Sequence, residues 1–122
     1  MKIEVSNGEF LDKLSILEIK LEKIKDETKL KNVQKEYNYL KDISKELSYD
    51  KKMYEKLLNI NHKLWNIEDD IREKERKKEL DNYFIELARS VYFTNDERAN
   101  IKREINISSN SKFIEVKSYK NY

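Results

Sequence analysis

From Ser6 onward, apolar residues recur at intervals of three and four, which is the spacing of a helix face, and they rarely alternate as a half-buried strand requires. The first segment opens with Ser6 as N-cap, Glu9 three residues on, and Val5 and Phe10 placed for a hydrophobic staple, so a helix is predicted from Asn7 with Glu9 closing a capping box. Phe10, Leu14, Leu17, Leu21 and Ile24 form one stripe, whereas Leu11, Ile16 and Ile19 fall outside it. A helix that is apolar on several sides must meet more than one neighbour, so this one is expected to be the central helix or part of a dimer interface. The pattern resets at Asp26-Glu27-Thr28, and Leu30, Val33, Tyr37, Leu40, Ile43 and Leu47 mark a second helix to about residue 48. The turn between the two is short, so they should run antiparallel.

After Ser48-Tyr49-Asp50, a third helix carries Met53, Leu57, Ile60, Leu64, Ile67 and Ile71 and is expected to continue through the charged run to Lys78. At about 1.5 Å per residue it would span roughly 42 Å. Leu80, Tyr83, Phe84, Leu87, Ala88 and Val91 define a fourth helix, dense enough in aromatics to predict deep burial. Thr94-Asn-Asp-Glu97 has the spacing of a fresh capping box, so Ile101 and Ile105 are assigned to a short fifth helix ending near Asn106. Residues 107–122 read as an irregular or extended tail. Within it Phe113 to Lys117 is strand-like and a candidate for two-stranded pairing with Lys2 to Val5. The expected architecture is a single all-α domain, residues 1–122, built as an antiparallel helical bundle of four long helices with coiled-coil-like spacing plus the short fifth.

Composition strengthens this reading. The chain has no proline and one glycine, Gly8, so the punctuation of β-rich folds is missing, while Lys, Glu, Leu and Ile favour helix. A chain of 122 residues can bury roughly two-thirds of the surface its unfolded form exposes, enough for a core. Cysteine is absent, which excludes disulfides and thiolate metal sites and fits a reducing compartment. With no signal-like apolar run after Met1 and no long uncharged stretch, a cytoplasmic location and no membrane partner are expected. Lys and Arg number 26 against 24 Asp and Glu, and the signs alternate along the helices. Nucleic-acid binding needs a basic stripe, so no nucleic-acid partner is expected.

Candidate chemistry concentrates on helix three. At about 100° per residue, its apolar stripe has a polar flank made of Asn61, Glu68 and Arg72, with Trp65 beside them. Such a row is either a boundary at which charges snorkel around the core, the commoner case, or one wall of a cleft. Arg89 has Ile85, Tyr92 and Phe93 as its helical neighbours and so calls for a partner, either a carboxylate such as Glu68, Asp69 or Glu86, or an anionic ligand. All five arginines lie between Arg72 and Arg103. His62, Asn66, Asp69 and Glu73 share another face, but one histidine among solvated side chains does not make a metal site, and no metal or cofactor is expected. Glu9-Phe-Leu-Asp12 is half of the acidic motif of all-α nucleotide pyrophosphohydrolases and lacks its second half, and only the arginine enrichment is shared with all-α chorismate mutases. With one histidine, no cysteine and one glycine, nucleophilic triads and phosphate loops are disfavoured.

Three blocks carry a family resemblance: Val5 to Lys20, Leu64 to Glu75, and Phe84 to Arg98. Together they resemble a family of short uncharacterised helical proteins of bacteria and phages, some of which lie beside tetratricopeptide-repeat or sugar-transferase regions. The resemblance implies no known activity and assigns no catalytic residue. Two functions are therefore expected in competition. The first is a small interaction module that self-associates as a homodimer through helix one or the long second and third helices. The second is a binding protein or enzyme for a small anionic or sugar-phosphate ligand, held between helices three and four by Asn61, Trp65, Glu68, Arg72 and Arg89.

Overall fold

The structure, a computed structural model, describes all 122 residues and contains four helices and no strand. They are α1 (Asn7–Lys23), α2 (Glu27–Ser44), α3 (Lys51–Arg76) and α4 (Asn82–Ser108). Each begins at a side-chain cap, because the first backbone N–H groups of a helix have no partner within it. Ser6 accepts from the Glu9 amide, Asp26 from Lys29, Asp50 from Lys52 and Asp81 from Phe84. None of the helices is long and apolar enough to cross a membrane.

The helices form two antiparallel hairpins, α1 with α2 and α3 with α4. Lys13 of α1 meets Glu36 of α2 at 2.9 Å, and Arg98 of α4 reaches Asn61 of α3. The hairpins pack through α1, which lies against all three other helices, while α2 packs on α1 alone. Leu11 has no exposed surface and Ile19 has 1%, so two of the three apolar residues outside the main stripe of α1 are covered inside one chain, while the third, Ile16, is half-buried. α1 is the central helix, and the motive for placing a dimer contact on it shrinks to Ile16. Leu11, Leu14, Leu57, Ile60 and Ile105 make the centre of the core, with Phe10, Tyr37, Leu40 and Tyr54 packed around it.

Several expectations are corrected. There is no fifth helix, because α4 runs unbroken from Asn82 to Ser108. Thr94, the supposed cap, is 1% exposed in mid-helix. With no glycine or proline between residues 82 and 108, a continuous helix keeps every backbone hydrogen bond while burying that side chain. The termini do not pair as strands. They meet through the Lys112–Glu4 ion pair at 2.8 Å, without a backbone ladder. The aromatic-rich first half of α4 is not deeply buried either. Only Leu87 and Thr94 are buried there, Phe84, Ala88 and Val91 are half-buried beside them, and Tyr83, Ile85, Tyr92 and Phe93 face outward. Finally, Glu9 does not close a capping box, since its carboxylate turns across to Lys102 Nζ at 2.8 Å.

α3 stops at Arg76, short of Lys78. Lys78 takes a left-handed conformation with φ of 54°, and the amides of Lys78 and Glu79 return to the carbonyls of Glu75 and Lys74. The one glycine of the chain serves a different purpose. A Cβ on Gly8 would lie 2.6 Å from the Lys102 carbonyl oxygen, so Gly8 is what lets the start of α1 touch the end of α4. The C-terminal turns of α4 then cap α1. Asn106 Oδ1 accepts from the Gly8 amide at 2.6 Å and Ser111 Oγ from the Asn7 amide at 2.9 Å.

Candidate functional site

Where α1, α3 and α4 meet, the core contains a polar network instead of side-chain hydrocarbon. Asn61 is 4% exposed. Its Nδ2 donates to Asp12 Oδ1 and to Ser15 Oγ, both at 2.8 Å, and its Oδ1 accepts from Arg98 at 3.1 Å. A carboxylate can only accept, so the amide has a single sensible orientation. Arg98 also donates to Asn95 Oδ1 at 2.8 Å, one turn earlier on α4. On the other side of Asp12 stands Lys102, 12% exposed at its side chain, which pairs with Glu9 and approaches Glu115 at 3.4 Å and Asp12 at 3.9 Å. No buried side-chain nitrogen or oxygen lacks a partner. A fully satisfied network of this kind fixes the register of the helices it joins, because any slip strands a buried polar group.

Above Asn61 a groove of about 420 Å³ opens between the helices, lined by Ile16, Asn61, Leu64, Trp65, Glu68, Asp69, Arg72 and Arg98. Four of the five residues selected from sequence, Asn61, Trp65, Glu68 and Arg72, therefore share one surface. Glu68 and Arg72 form the expected i,i+4 pair at 3.6 Å, which is exposed and worth at most a few tenths of a kcal/mol. Arg89 does not join them. It lies exposed on the outer face of α4 with its guanidinium carbon 5.9 Å from the Phe93 ring centre, facing neither a carboxylate nor the groove. The arginine that reaches the groove is Arg98, nine residues further along α4. The periodicity of a helix split at Thr94 could not place it, since its azimuth relative to Asn61 follows only from an unbroken α4.

His62, Asn66, Asp69 and Glu73 do not converge. His62 Nε2 faces Glu22 at 3.6 Å, Glu73 holds Arg76 at 2.6 Å, and no group of three or more His, Asp or Glu side chains is arranged around a common point. The Arg76 guanidinium holds the Glu73 carboxyl below its usual range, and Lys77 adds to this.

A second surface is apolar. The outer face of α4 shows Ile85 at 54% exposure, with Tyr92 and Phe93 both at 43%. Tyr122 returns from the tail to this face, its ring centre 5.2 Å from Tyr92 and 5.0 Å from Phe93, and its hydroxyl donates to Asp96. That bond, with local desolvation and the negative charge of Asp96, pushes the Tyr122 phenol up to about 12.

No curated protein and no solved structure matches the chain. A family of unknown function, DUF6165, matches residues 1–122, the whole length, and this extends the three-block resemblance over all four helices. The chain belongs to the DUF6165 family, for which no biochemical activity is established.

Proposed function

We propose that this chain is a helical interaction module that pairs with a second copy of itself through the outer face of the first half of α4. The observation that carries the reading is the apolar row Ile85, Tyr92 and Phe93, which stays about half exposed with Tyr122 packed on its end, on the solvent side of a helix whose inner seam is already satisfied by α3. A patch of large apolar side chains on a highly charged surface marks a contact site more often than chance exposure. Charge points to a second copy as the occupant. Glu86 and Arg89 lie on that face one turn apart, and neither forms an ion pair within the chain. Antiparallel, coiled-coil-like packing of two α4 helices about a twofold axis sets each Arg89 against Glu86 of the other copy, with Ile85 on one side of the two ion pairs and Tyr92 and Phe93 on the other.

Sedimentation at several concentrations tests this. The expected result is a dimer that Phe93→Asp dissociates and that Arg89→Glu weakens. The double variant Glu86→Arg/Arg89→Glu restores it, because a twofold contact is indifferent to exchanging the two signs. A monomer at every concentration, or a dimer insensitive to these changes, refutes the reading.

A further inference from the structure

Arg98 is half-buried, yet no carboxylate faces it. Both of its hydrogen bonds go to neutral amide oxygens, those of Asn61 and Asn95. Three carboxylates around it are engaged elsewhere, Asp12 with Asn61 and Lys102, Glu115 with Lys117 and Lys102, and Glu68 with Arg72, and the unpaired Asp69 of the groove lies two helical turns along α3 from Asn61. A guanidinium carries five N–H donors in a planar fork, so Arg98 keeps donors to spare. A cation partly withdrawn from water gains most from an anion that arrives with matching geometry. The groove on which Arg98 opens is large enough for such a guest, and its composition changes along its length. Arg98 and Asn61 form one end, Ile16, Leu64 and Trp65 give an apolar middle, and Glu68 and Asp69 lie toward the other end. Asn61 and Glu68 are two helical turns apart on α3, roughly 10 Å along the axis.

From this order of side chains we infer that the groove is a binding site for a small organic anion. The ligand is a carboxylate or phosphate carried on a flat ring, with a hydroxyl or amino donor at its far end. The anionic group sits on Arg98, the ring lies against Trp65 and Leu64, and the donor is accepted by Asp69 or Glu68. Asp69 is the suitable acceptor because it forms no ion pair, whereas Glu68 already holds Arg72. Arg98, and not Arg72, selects the anion. The Arg72 side chain is 71% exposed and its charge is screened by solvent and by Glu68.

The chain has a single tryptophan, so the indole N–H resonance of Trp65 reports on this groove alone. The probes are 4-hydroxybenzoate, phenyl phosphate and, as the uncharged control, 4-hydroxybenzyl alcohol, titrated into the isotopically labelled full chain. The expected result is a saturable shift of the Trp65 resonance by at least one of the two anions, with a Kd below about 1 mM, and none by the alcohol. Whichever anion binds more tightly identifies carboxylate or phosphate as the group recognised. Arg98→Gln keeps a donor for Asn61 and is expected to weaken binding about tenfold or more, while Arg72→Gln changes it less than about threefold. Should Arg98→Gln fail to fold, Arg98→Lys decides the matter, because it keeps the charge and loses the fork, and its binding is expected to fall at least about threefold. The inference is overturned if neither anion gives a saturable shift, if the alcohol binds equally well, if the Arg72 and Arg98 variants lose affinity alike, or if the folded Arg98 variant binds like the parent.

Discussion

Gly8→Ala adds one methyl group at the closest approach in the fold. The new Cβ would stand 2.6 Å from the Lys102 carbonyl oxygen and 3.0 Å from Asn106 Oδ1, where ordinary contact begins at 3.4 Å. The nearest obstacle is backbone toward the end of the continuous α4, so it cannot rotate aside as a flexible side chain would. Relief requires α1 and α4 to move apart by several tenths of an ångström, which stretches the Gly8 amide bond to Asn106. Overpacking of this kind costs about 1–3 kcal/mol, and a weakened buried hydrogen bond about 1 kcal/mol. Replacing glycine in a helix returns up to about 1 kcal/mol, less in the first turn. The net expectation is a loss of about 2 kcal/mol. With a urea m-value of about 1.5 kcal/mol/M for a domain of this size, the midpoint should fall by about 1–1.5 M at unchanged slope. Urea titration followed by far-ultraviolet circular dichroism measures this. A midpoint equal to or above the parent's would show that the contact is not what seats α1 on α4, and the account of Gly8 would be wrong.

Other substitutions probe the rest of the fold. Asn61→Leu should destabilise by about 2–4 kcal/mol in the same titration, because it leaves Asp12, Ser15 and Arg98 short of partners together. Lys102→Met, which leaves Glu9, Asp12 and Glu115 facing one another, should cost about 2–3 kcal/mol at neutral pH. Burial and donation to Glu18 push the Tyr54 phenol well above its ordinary 10.0. A raised folded-state value gives stability that is complete below pH 10 and is lost as pH climbs beyond it, so in that range Tyr54→Phe should flatten the decline by up to about 1 kcal/mol per pH unit, allowing for partial exposure. Lys78→Gly, at the left-handed end of α3, should stabilise by about 0.5–1 kcal/mol, and a lower thermal midpoint would contradict the strain assigned there.

The sequence alone determined what is local. Helix starts at Ser6, Asp26 and Asp50 follow from side chains that reach amides two or three residues away, and the core residues Leu14, Leu57, Ile60 and Leu64 follow from a spacing that any helix turns into a face. The shared edge of Asn61, Trp65, Glu68 and Arg72 was legible for the same reason. Tertiary structure decided whatever depends on which face another element covers. Thr94-Asn-Asp-Glu97 carries a valid cap signal, and packing against α3 overrode it by burying Thr94 in an unbroken helix. Leu80, Tyr83 and Phe84 read as buried, but only Leu87 and Thr94 are buried in this half of α4, with Phe84 half-buried and Leu80 and Tyr83 left outside. Glu9 fitted a local capping box until Lys102, 93 residues away, offered a stronger partner. Arg98 replaced Arg89 in the groove because its position depends on the azimuth of α4 relative to α1 and α3. Spacing along the chain encodes the angle of a side chain about its own helix axis, whereas the rotation of one helix against another is fixed only when their side chains interlock.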